Sequence, residues 1–192
     1  MDNKRVFIGY DQREKIAYDI CKFSIERNDP THLIQITPLV HTCLRRQGWF
    51  NRPWLTVADS GNRVDLIDGK PFSTEFSHTR FLVPALTGYK GWALFMDCDM
   101  IVDIDLNKLF EQCDDSKAVM VVKHNHVPTN EIKMDGQEQP KYWRKNWSSF
   151  ILWNCSHPSN AALTPDVVNT KSGRWMHQFS WLQEHEIGSI TP

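Results

Sequence analysis

The chain has 192 residues, a formal net charge of −1 at pH 7 and 41% hydrophobic residues. This length suits one domain with a single buried core. The nearly balanced charge excludes a long-range field that would attract nucleic acid or anionic membranes, so we expect neither as a partner.

Cysteine spacing and hydropathy indicate the compartment. The five cysteines are scattered and odd in number, which argues against a disulfide framework and against a zinc ribbon. No apolar run approaches the roughly 18 residues that a membrane-spanning helix needs. The N-terminal residues lead directly into Val6 without the apolar stretch of a signal peptide. We therefore expect a cytoplasmic protein without a membrane span.

Predicted strands and helices alternate along the chain. In chain order they are a strand at 6–9, a helix from residue 11, a strand at 33–39, a helix at 41–47, a loop at 48–70 with an extended piece at 64–67, a helix at 77–86, strands at 92–96, 118–123 and 150–153, and a helix at 175–183. The polar stretch 125–147 has the length of a functional loop. This alternation predicts a three-layer, Rossmann-like α/β domain with a mostly parallel central sheet.

An apolar strand that ends at two aspartates carries the most specific chemical signal. Asp97 and Asp99 follow the apolar residues 92–96 and are separated by Cys98. Side chains alternate along an extended chain, so both carboxylates project to the same side at the strand's C-terminal end, where open α/β sheets bind ligands. Hard oxygen ligands suit Mn²⁺ or Mg²⁺ that bridges to a diphosphate. We predict a metal site at Asp97 and Asp99, with Cys98 in the same donor-binding segment.

The loop after the first strand has the residues of a nucleoside site. Tyr10 can support a base, Asp11 can accept an imide N–H, and Arg13 follows two residues later. Asp11 can equally cap the helix that follows, and the two roles are compatible. Arg80 precedes the aspartate strand, where a guanidinium could reach a phosphate. A solvated arginine on a helix is the alternative.

Cations and polar donors lie next to two later strands. Lys123 and His124 end a β-branched strand, and Arg144, Lys145 and Ser149 precede an apolar one. A diphosphate leaving group needs such cations, because negative charge builds up on its bridging oxygen as its bond breaks. We predict Lys123, His124 and Arg144 as catalytic residues and Lys145 and Ser149 as donor-binding residues. Plain surface polarity is the alternative.

The segments 76–86 and 91–110 resemble the GT-A-fold glycosyltransferases, especially family 8, which includes glycogenin and bacterial galactosyltransferases. In that group, as here, a helix with an arginine and a proline precedes a strand ending in Asp-x-Asp, and a Leu-x-x-Leu-Phe helix follows. The segment 145–154 is similar to the later family motif Phe-Asn-Ser-Gly-Val-x-Leu-x-Asn. The resemblance covers the chain from residue 6 to about residue 155.

The resemblance implies one GT-A domain over residues 1–192 that transfers a sugar from a nucleotide diphosphate donor. The donor would be a UDP-sugar, with Mn²⁺ held by Asp97 and Asp99 across both phosphates. Family 8 members retain the anomeric configuration, so we expect the same outcome here. The implied partners are the donor and a glycan or small acceptor. A homodimer is a further possible partner state, and the sequence leaves the oligomeric state open.

The resemblance also assigns individual residues, with two departures. The implied donor-binding residues are Tyr10, Asp11, Arg13 and Arg80. Asn154 ends the later motif and is implied to be catalytic, but Trp147 and Ser149 replace the motif's Asn and Gly. The family takes a third metal ligand, a histidine, from a C-terminal segment, and His185 is a poorly placed counterpart. Either the chain lacks a C-terminal segment or its metal site is minimal and open.

Two other functions are compatible with the same residues. A non-catalytic module that binds nucleotide sugars or glycans is favoured by the eight tryptophans, since aromatic faces pack against sugar C–H groups. A phosphatase of the haloacid dehalogenase type would use Asp97 as nucleophile and Asp99 as general acid, but that group places its motif after the first strand. The donor sugar and the acceptor stay open.

Overall fold

The computed structural model describes residues 4–58, 61–123, 144 and 147–191. Its strands are β1 (Lys4–Gly9), β2 (Ile34–Leu39), β3 (Trp54–Thr56), β4 (Arg63–Asp65), β5 (Pro71–Phe72), β6 (Trp92–Met96), β7 (Val119–Val121), β8 (Phe150–Asn154) and β9 (Ile187–Ser189). Its α-helices are α1 (Lys15–Arg27), α2 (His41–Arg46), α3 (Val83–Leu86), α4 (Leu106–Phe110), α5 (Pro165–Thr170) and α6 (Gly173–His177). Short 3-10 helices lie at Gln12–Glu14, Thr79–Leu82, Trp147–Ser149, Pro158–Ala162 and Glu184–Glu186.

The main sheet has the strand order β2-β1-β6-β8-β7-β9. β1 pairs in parallel with β2 and β6, and β7 pairs in parallel with β9. β8 runs antiparallel to its neighbours β6 and β7. All strands of this sheet except β8 therefore run in the same direction, which confirms the predicted, mostly parallel α/β architecture. The C-terminal ends of β1, β6 and β7 lie at one edge, which we call the carboxyl edge.

Successive side chains of β1 point to opposite faces of the main sheet, and a packed layer lies on each face. Val6 pairs with Ile36 of β2, on the side where α1 contributes Ile25 to the same surface. Side chains at odd positions point to the opposite side, where an added methyl at Gly9 would meet the ring of Phe76. The sheet is therefore covered on both faces. The side chains of β6 and β8 are apolar up to Asn154 because these central strands are largely buried on both faces.

A second, three-stranded antiparallel sheet, which we call the small sheet, has the order β3-β4-β5. It corrects the prediction of a loop with one extended piece at 48–70. The small sheet is attached to the domain by Arg52, whose fully buried guanidinium donates to both carboxylate oxygens of Asp65. The amide oxygen of Asn169 in α5 accepts from the backbone N–H of Arg52. Charged pairing rather than an apolar pattern builds this sheet, so hydropathy did not predict it.

Several predicted elements differ in length. The helix predicted at 77–86 is a 3-10 turn, Thr79–Leu82, followed by the single turn of α3. The helix predicted at 175–183 is α6, which ends at His177 before Phe179 adopts a φ of 51°. Of the loop predicted at 125–147, only residues 144 and 147 are within the described residues. Within those ranges, no helix is long and apolar enough to cross a membrane.

Candidate functional site

The two predicted metal ligands lie together at the carboxyl edge. Asp97 follows the last residue of β6, and its backbone N–H donates to the carbonyl of Ser149 at 2.9 Å. The side chain of Asp97 is 22% exposed, and Asp99 is exposed. The buried apolar strand thus delivers both carboxylates to the sheet edge where ligands of such folds bind.

Arg80 is the immediate partner of Asp97. Its Nη1 lies 2.9 Å from Asp97 Oδ1, and only 6% of the Arg80 side chain is exposed. Burial raises the pKa of Asp97 to about 6; Arg80 opposes that rise, whereas the negative charges of Asp99 and Glu14 add to it. The solvated helix arginine considered as the alternative is therefore excluded. An additional positive charge beside Asp97 and Asp99 would stabilise their ionised forms.

The Arg80 guanidinium is held from several sides. Its Nη1 donates to the carbonyl of Ser148 at 2.6 Å and its Nε to the carbonyl of Phe76 at 3.3 Å. The guanidinium carbon lies 5.4 Å from the ring centroid of Phe76 and 4.8 Å from that of Phe95. Aromatic faces and two carbonyls therefore fix its direction towards the aspartates.

The aspartate pair suits a divalent cation that is shared with a ligand. Asp97 Oδ1 is buried and, although Arg80 Nη1 lies 2.9 Å away, it accepts no hydrogen bond of good geometry among the described residues. Asp99 is exposed. In the same ranges, no group of three or more His, Cys, Asp and Glu side chains could hold a metal. Mg²⁺ and Mn²⁺ are commonly held by one or two carboxylates, with phosphate oxygens and water completing the shell. The residues present fit that arrangement.

His185 lies away from this pair. It belongs to the 3-10 turn before β9, and its carbonyl accepts from Lys117 Nζ at 3.0 Å. Because β9 is parallel to β7, the residue before it lies at the edge opposite the carboxyl edge. The topology therefore excludes His185 as the third ligand of a metal at Asp97 and Asp99.

Cys98 points into the fold. Its side chain is 1% exposed, and its Sγ donates to the carboxylate of Glu14 at 3.3 Å. Burial raises the pKa of the Cys98 thiol, and the hydrogen bond to Glu14 raises it further. The Cys98 side chain thus ties the aspartate segment to the start of α1, and a donor contact would have to come from its backbone.

The predicted nucleoside loop lies at the same edge, at the end of β1. The Tyr10 hydroxyl donates to Gln12 at 2.8 Å, and its ring packs edge-on against Tyr18. Arg13 is about half exposed and donates to both carboxylate oxygens of Asp11. The Asp11 carboxylate also accepts from the Arg13 backbone N–H, so Asp11 caps the 3-10 turn as the alternative role predicted.

Asp11 is the centre of a charged network that the sequence did not reveal. Its fully buried carboxylate accepts from Arg63 Nη1 at 3.1 Å and from the backbone N–H of Glu75 at 3.1 Å. Burial alone would raise the pKa of Asp11, but the hydrogen bonds of Arg13 and Glu75 and the charge of Arg63 lower it to about 2. Asp11 in this structure shapes the loop, and its predicted contact with a nucleoside stays a prediction.

Asn154 lies at the opposite edge of the sheet, which contradicts its predicted catalytic role. As the last residue of antiparallel β8, it pairs with Trp92, the first residue of β6. Its buried amide donates to the carbonyls of Asp115 at 3.4 Å and Lys117 at 3.1 Å. The length of β6 separates it from Asp97, about 16 Å at the usual rise per residue. Asn154 therefore stabilises the turn that contains Asp115 and Lys117.

The two described cations of the predicted leaving-group site share one acidic partner. Lys123 Nζ donates to the carbonyl of Ile187 at 2.9 Å and lies 3.9 Å from Glu184. Arg144 Nη2 lies 2.7 Å from the same carboxylate. These contacts direct both side chains towards Glu184. His124 and Lys145 lie outside the described residues.

A large open cavity lies on one face of the main sheet. It measures about 1090 Å³, and its walls include Arg5, Thr37, Leu44, Trp92 and Phe110. None of the aspartates and arginines of the candidate site contributes to it. The cavity is therefore separate from the aspartate pair, whose own surroundings are an open edge.

The sequence of the chain is similar to that of a curated plant protein. It is 43% identical over 186 residues to Protein CDI of Arabidopsis thaliana, which is 97% of this chain and 66% of that protein. The chain thus spans slightly less than two thirds of this relative, whose name states no activity. No protein-family profile matches the chain.

Solved structures of similar shape are glycosyltransferases. GlyE of Streptococcus pneumoniae TIGR4 has a TM-score of 0.55 at 13% identity over 99% of this chain and 45% of its own. The bifunctional glycosyltransferase WbbM has a TM-score of 0.61 at 17% identity over 98% of this chain and 39% of its own. The galactosyltransferase LgtC, solved with donor and acceptor sugar analogues, has a TM-score of 0.54 at 12% identity over 96% of this chain and 72% of its own. The chain has the fold of GT-A-type glycosyltransferases.

Proposed function

We propose that the chain is a metal-dependent glycosyltransferase that transfers a sugar from a nucleoside diphosphate donor, a UDP-sugar, to an acceptor of unknown identity. The observation that carries this proposal is the placement of Asp97 and Asp99 at the carboxyl edge of a GT-A fold, beside the buried cation of Arg80. We propose a glycosyltransferase of the family 8 type, which implies that the transferred sugar keeps its anomeric configuration.

The cation of the proposed site is Mn²⁺ or Mg²⁺, held by Asp97 and Asp99. When bound, it would neutralise negative charge on the leaving diphosphate. Arg80 has its guanidinium fixed against Asp97 by Ser148 and aromatic rings. A fixed cation that does not need to reorganise during the reaction stabilises developing charge effectively. We assign Arg80 to the diphosphate or the donor sugar.

The nucleoside is assigned to the loop after β1. Tyr10 offers a partly exposed ring, and Arg13 offers a half-exposed guanidinium at the carboxyl edge. Asp11 supports this loop from beneath, through its contacts with Arg13 and Arg63. Ser149 adjoins the site through its carbonyl contact with the backbone of Asp97. These positions support a donor that extends along the carboxyl edge from Tyr10 to Asp99.

Lys123 and Arg144 remain candidates for contact with the leaving diphosphate. Both contact Glu184 in this structure, so such a role requires them to exchange that carboxylate for phosphate oxygens. Phosphate carries more charge than one carboxylate and accepts bidentate hydrogen bonds from arginine, which favours the exchange.

Calorimetric titration of UDP in the presence of Mn²⁺ tests the proposal on the full chain. We expect wild-type protein to bind and the double variant Asp97→Ala, Asp99→Ala to lose binding. The matched control is Asp103→Ala, since Asp103 is an exposed aspartate just beyond the site. Absence of binding to wild type, or retained affinity in the double variant, contradicts the proposal. Proton NMR of sugar released from a hydrolysed UDP-sugar then gives the anomeric outcome.

A non-catalytic module that binds nucleotide sugars is the second candidate. It is favoured by the positions of Asn154 at the opposite edge and of Lys123 and Arg144 on Glu184. Turnover separates the two functions, because a transferase hydrolyses its donor slowly when no acceptor is present. Binding of UDP-sugar without release of UDP, across a broad set of acceptors, would support the module.

A further inference from the structure

Two adjacent carbonyls support both members of the Arg80–Asp97 pair. The carbonyl of Ser148 accepts from Arg80 Nη1 at 2.6 Å. The carbonyl of Ser149 accepts from the backbone N–H of Asp97 at 2.9 Å. The position of this two-residue segment therefore sets where the guanidinium lies relative to the carboxylate, 2.9 Å away.

A side-chain contact of Ser148 attaches this segment to a distant helix. Ser148 Oγ and His177 Nδ1, at the end of α6, lie 2.7 Å apart and share a hydrogen bond. Ser148 is buried, and the His177 ring packs edge-on against the fully buried Phe81 at 5.1 Å. Burial, followed by the charge of Arg80, lowers the pKa of His177 to about 3, so the ring is neutral at pH 7. A neutral ring can share this hydrogen bond without adding charge beside Arg80.

We propose that His177 is a positioning residue of the donor site. Through Ser148 it holds the two carbonyls that set Arg80 against Asp97, and so prepares the pair for the diphosphate of the donor. The contacts described connect His177 to Asp97 through Ser148 and Arg80. This inference rests on the proposed function for its purpose, but the contact chain exists without any ligand.

The chain offers a matched set of variants. His177→Phe keeps a ring against Phe81 and removes both ring nitrogens, including the hydrogen bond with the backbone of Ser77. His177→Asn also loses the second nitrogen but keeps a polar atom where Nδ1 lies, so the difference between Phe and Asn reports on Nδ1. Ser148→Ala removes the other half of the same hydrogen bond. His157→Phe is the control, because Nδ1 of His157 also accepts a hydrogen bond, from the N–H of Ser159, but lies beyond the end of β8 at the opposite edge.

The first measurement needs no ligand. The Nε–H resonance of Arg80 in a ¹⁵N-labelled full chain reports whether the guanidinium is held, through its chemical shift and its exchange with water. We expect His177→Phe and Ser148→Ala to shift this resonance and speed its exchange, and His177→Asn and His157→Phe to leave it at the wild-type position. An unchanged resonance in His177→Phe, or equal effects of Phe and Asn at position 177, would overturn the inference.

The second measurement is the affinity for UDP with Mn²⁺. We expect a loss of roughly tenfold in His177→Phe and in Ser148→Ala, the effect usual when a supporting partner of a metal site is removed. The loss in the double variant should be smaller than the sum of the two single losses, since both variants break the Ser148–His177 contact, while His177→Phe also removes the hydrogen bond of the ring with the backbone of Ser77. Affinity equal to wild type in His177→Phe contradicts the inference. If wild type itself fails to bind UDP, the proposed function fails, while the Arg80 resonance still decides the role of His177.

Discussion

Arg63 and Asp11 join the small sheet to the loop after β1, with 3.1 Å between the guanidinium Nη1 and the carboxylate Oδ2. Arg63 also contacts Glu75 at 2.9 Å and donates to the carbonyl of Ser73. One buried guanidinium thus connects the strand β4, the segment before Arg80 and the predicted nucleoside loop. The small sheet is therefore part of the support of the carboxyl edge.

The first prediction concerns stability in acid. The pKa of Asp11 falls from 3.8 to about 2 in the folded chain. A lowered pKa stabilises the fold above the ordinary value, and this contribution disappears as the pH falls from about 4 to about 2. It amounts to about 2 kcal/mol at pH 7. Urea unfolding at a series of pH values should therefore show Asp11→Asn to be less stable at pH 7 and less sensitive to acid.

The control for this experiment is Asp103→Asn, which removes an exposed carboxylate. It should keep the wild-type acid dependence. Equal slopes of stability against pH in Asp11→Asn and wild type would show that Asp11 does not carry this titration.

The second prediction concerns the close contact of Gly9 with Phe76. An added Cβ at Gly9 would lie 2.4 Å from the ring of Phe76, so Gly9→Ala must displace that ring. Overpacking of this kind costs about 1–3 kcal/mol of unfolding free energy. Because the Phe76 carbonyl and ring both contact Arg80, the affinity for UDP with Mn²⁺ should fall as well. Thermal unfolding and calorimetry measure the two effects.

Shortening the displaced side chain provides the control. Phe76→Leu in the Gly9→Ala background gives the new methyl room, so part of the lost stability should return. If the single variant Gly9→Ala is as stable as wild type, the packing described between β1 and the segment before Arg80 is incorrect.

The third prediction concerns the buried pair of Arg52 and Asp65. Arg52→Met leaves the Asp65 carboxylate buried without its guanidinium, which typically costs about 3–5 kcal/mol. The double variant Arg52→Met, Asp65→Leu removes both charges and should be clearly more stable than Arg52→Met alone. Urea unfolding of the four proteins of this cycle gives the coupling energy. Equal stability of the single and double variants would exclude a desolvated pair.

The sequence predicted the main sheet because its strands carry their own signal. The residues of β6 are apolar throughout and those of β8 are apolar up to its last residue, Asn154, as is typical of strands covered on both faces, and their spacing along the chain fits an α/β domain. Asp97 and Asp99 were predicted as neighbours for the same local reason, since both follow one strand. The small sheet lacks such a pattern because Arg52 and Asp65 stabilise it by pairing.

The supporting residues of the site could not be predicted because their partners are distant in sequence. Arg63 is 52 residues from Asp11, and Arg80 is 68 residues from Ser148. Contacts between residues this far apart in the chain produce no periodic pattern in the sequence. Asn154 shows the opposite error: a motif implied a catalytic residue, but the antiparallel direction of β8 carries it to the far edge. Strand direction is a property of the whole sheet, which a local pattern does not reveal.

The last prediction tests that correction directly. Asn154→Ala removes the two hydrogen bonds that the buried Asn154 amide makes to the turn at Asp115 and Lys117, so the free energy of unfolding should fall by about 1–3 kcal/mol. The affinity for UDP with Mn²⁺ should stay within about twofold of wild type, because perturbations this far apart are usually independent. Calorimetry on the folded variant beside Asp97→Ala makes the comparison. A large loss of affinity in Asn154→Ala with unchanged stability would indicate that Asn154 contacts the donor. That result would contradict the antiparallel pairing of β6 with β8.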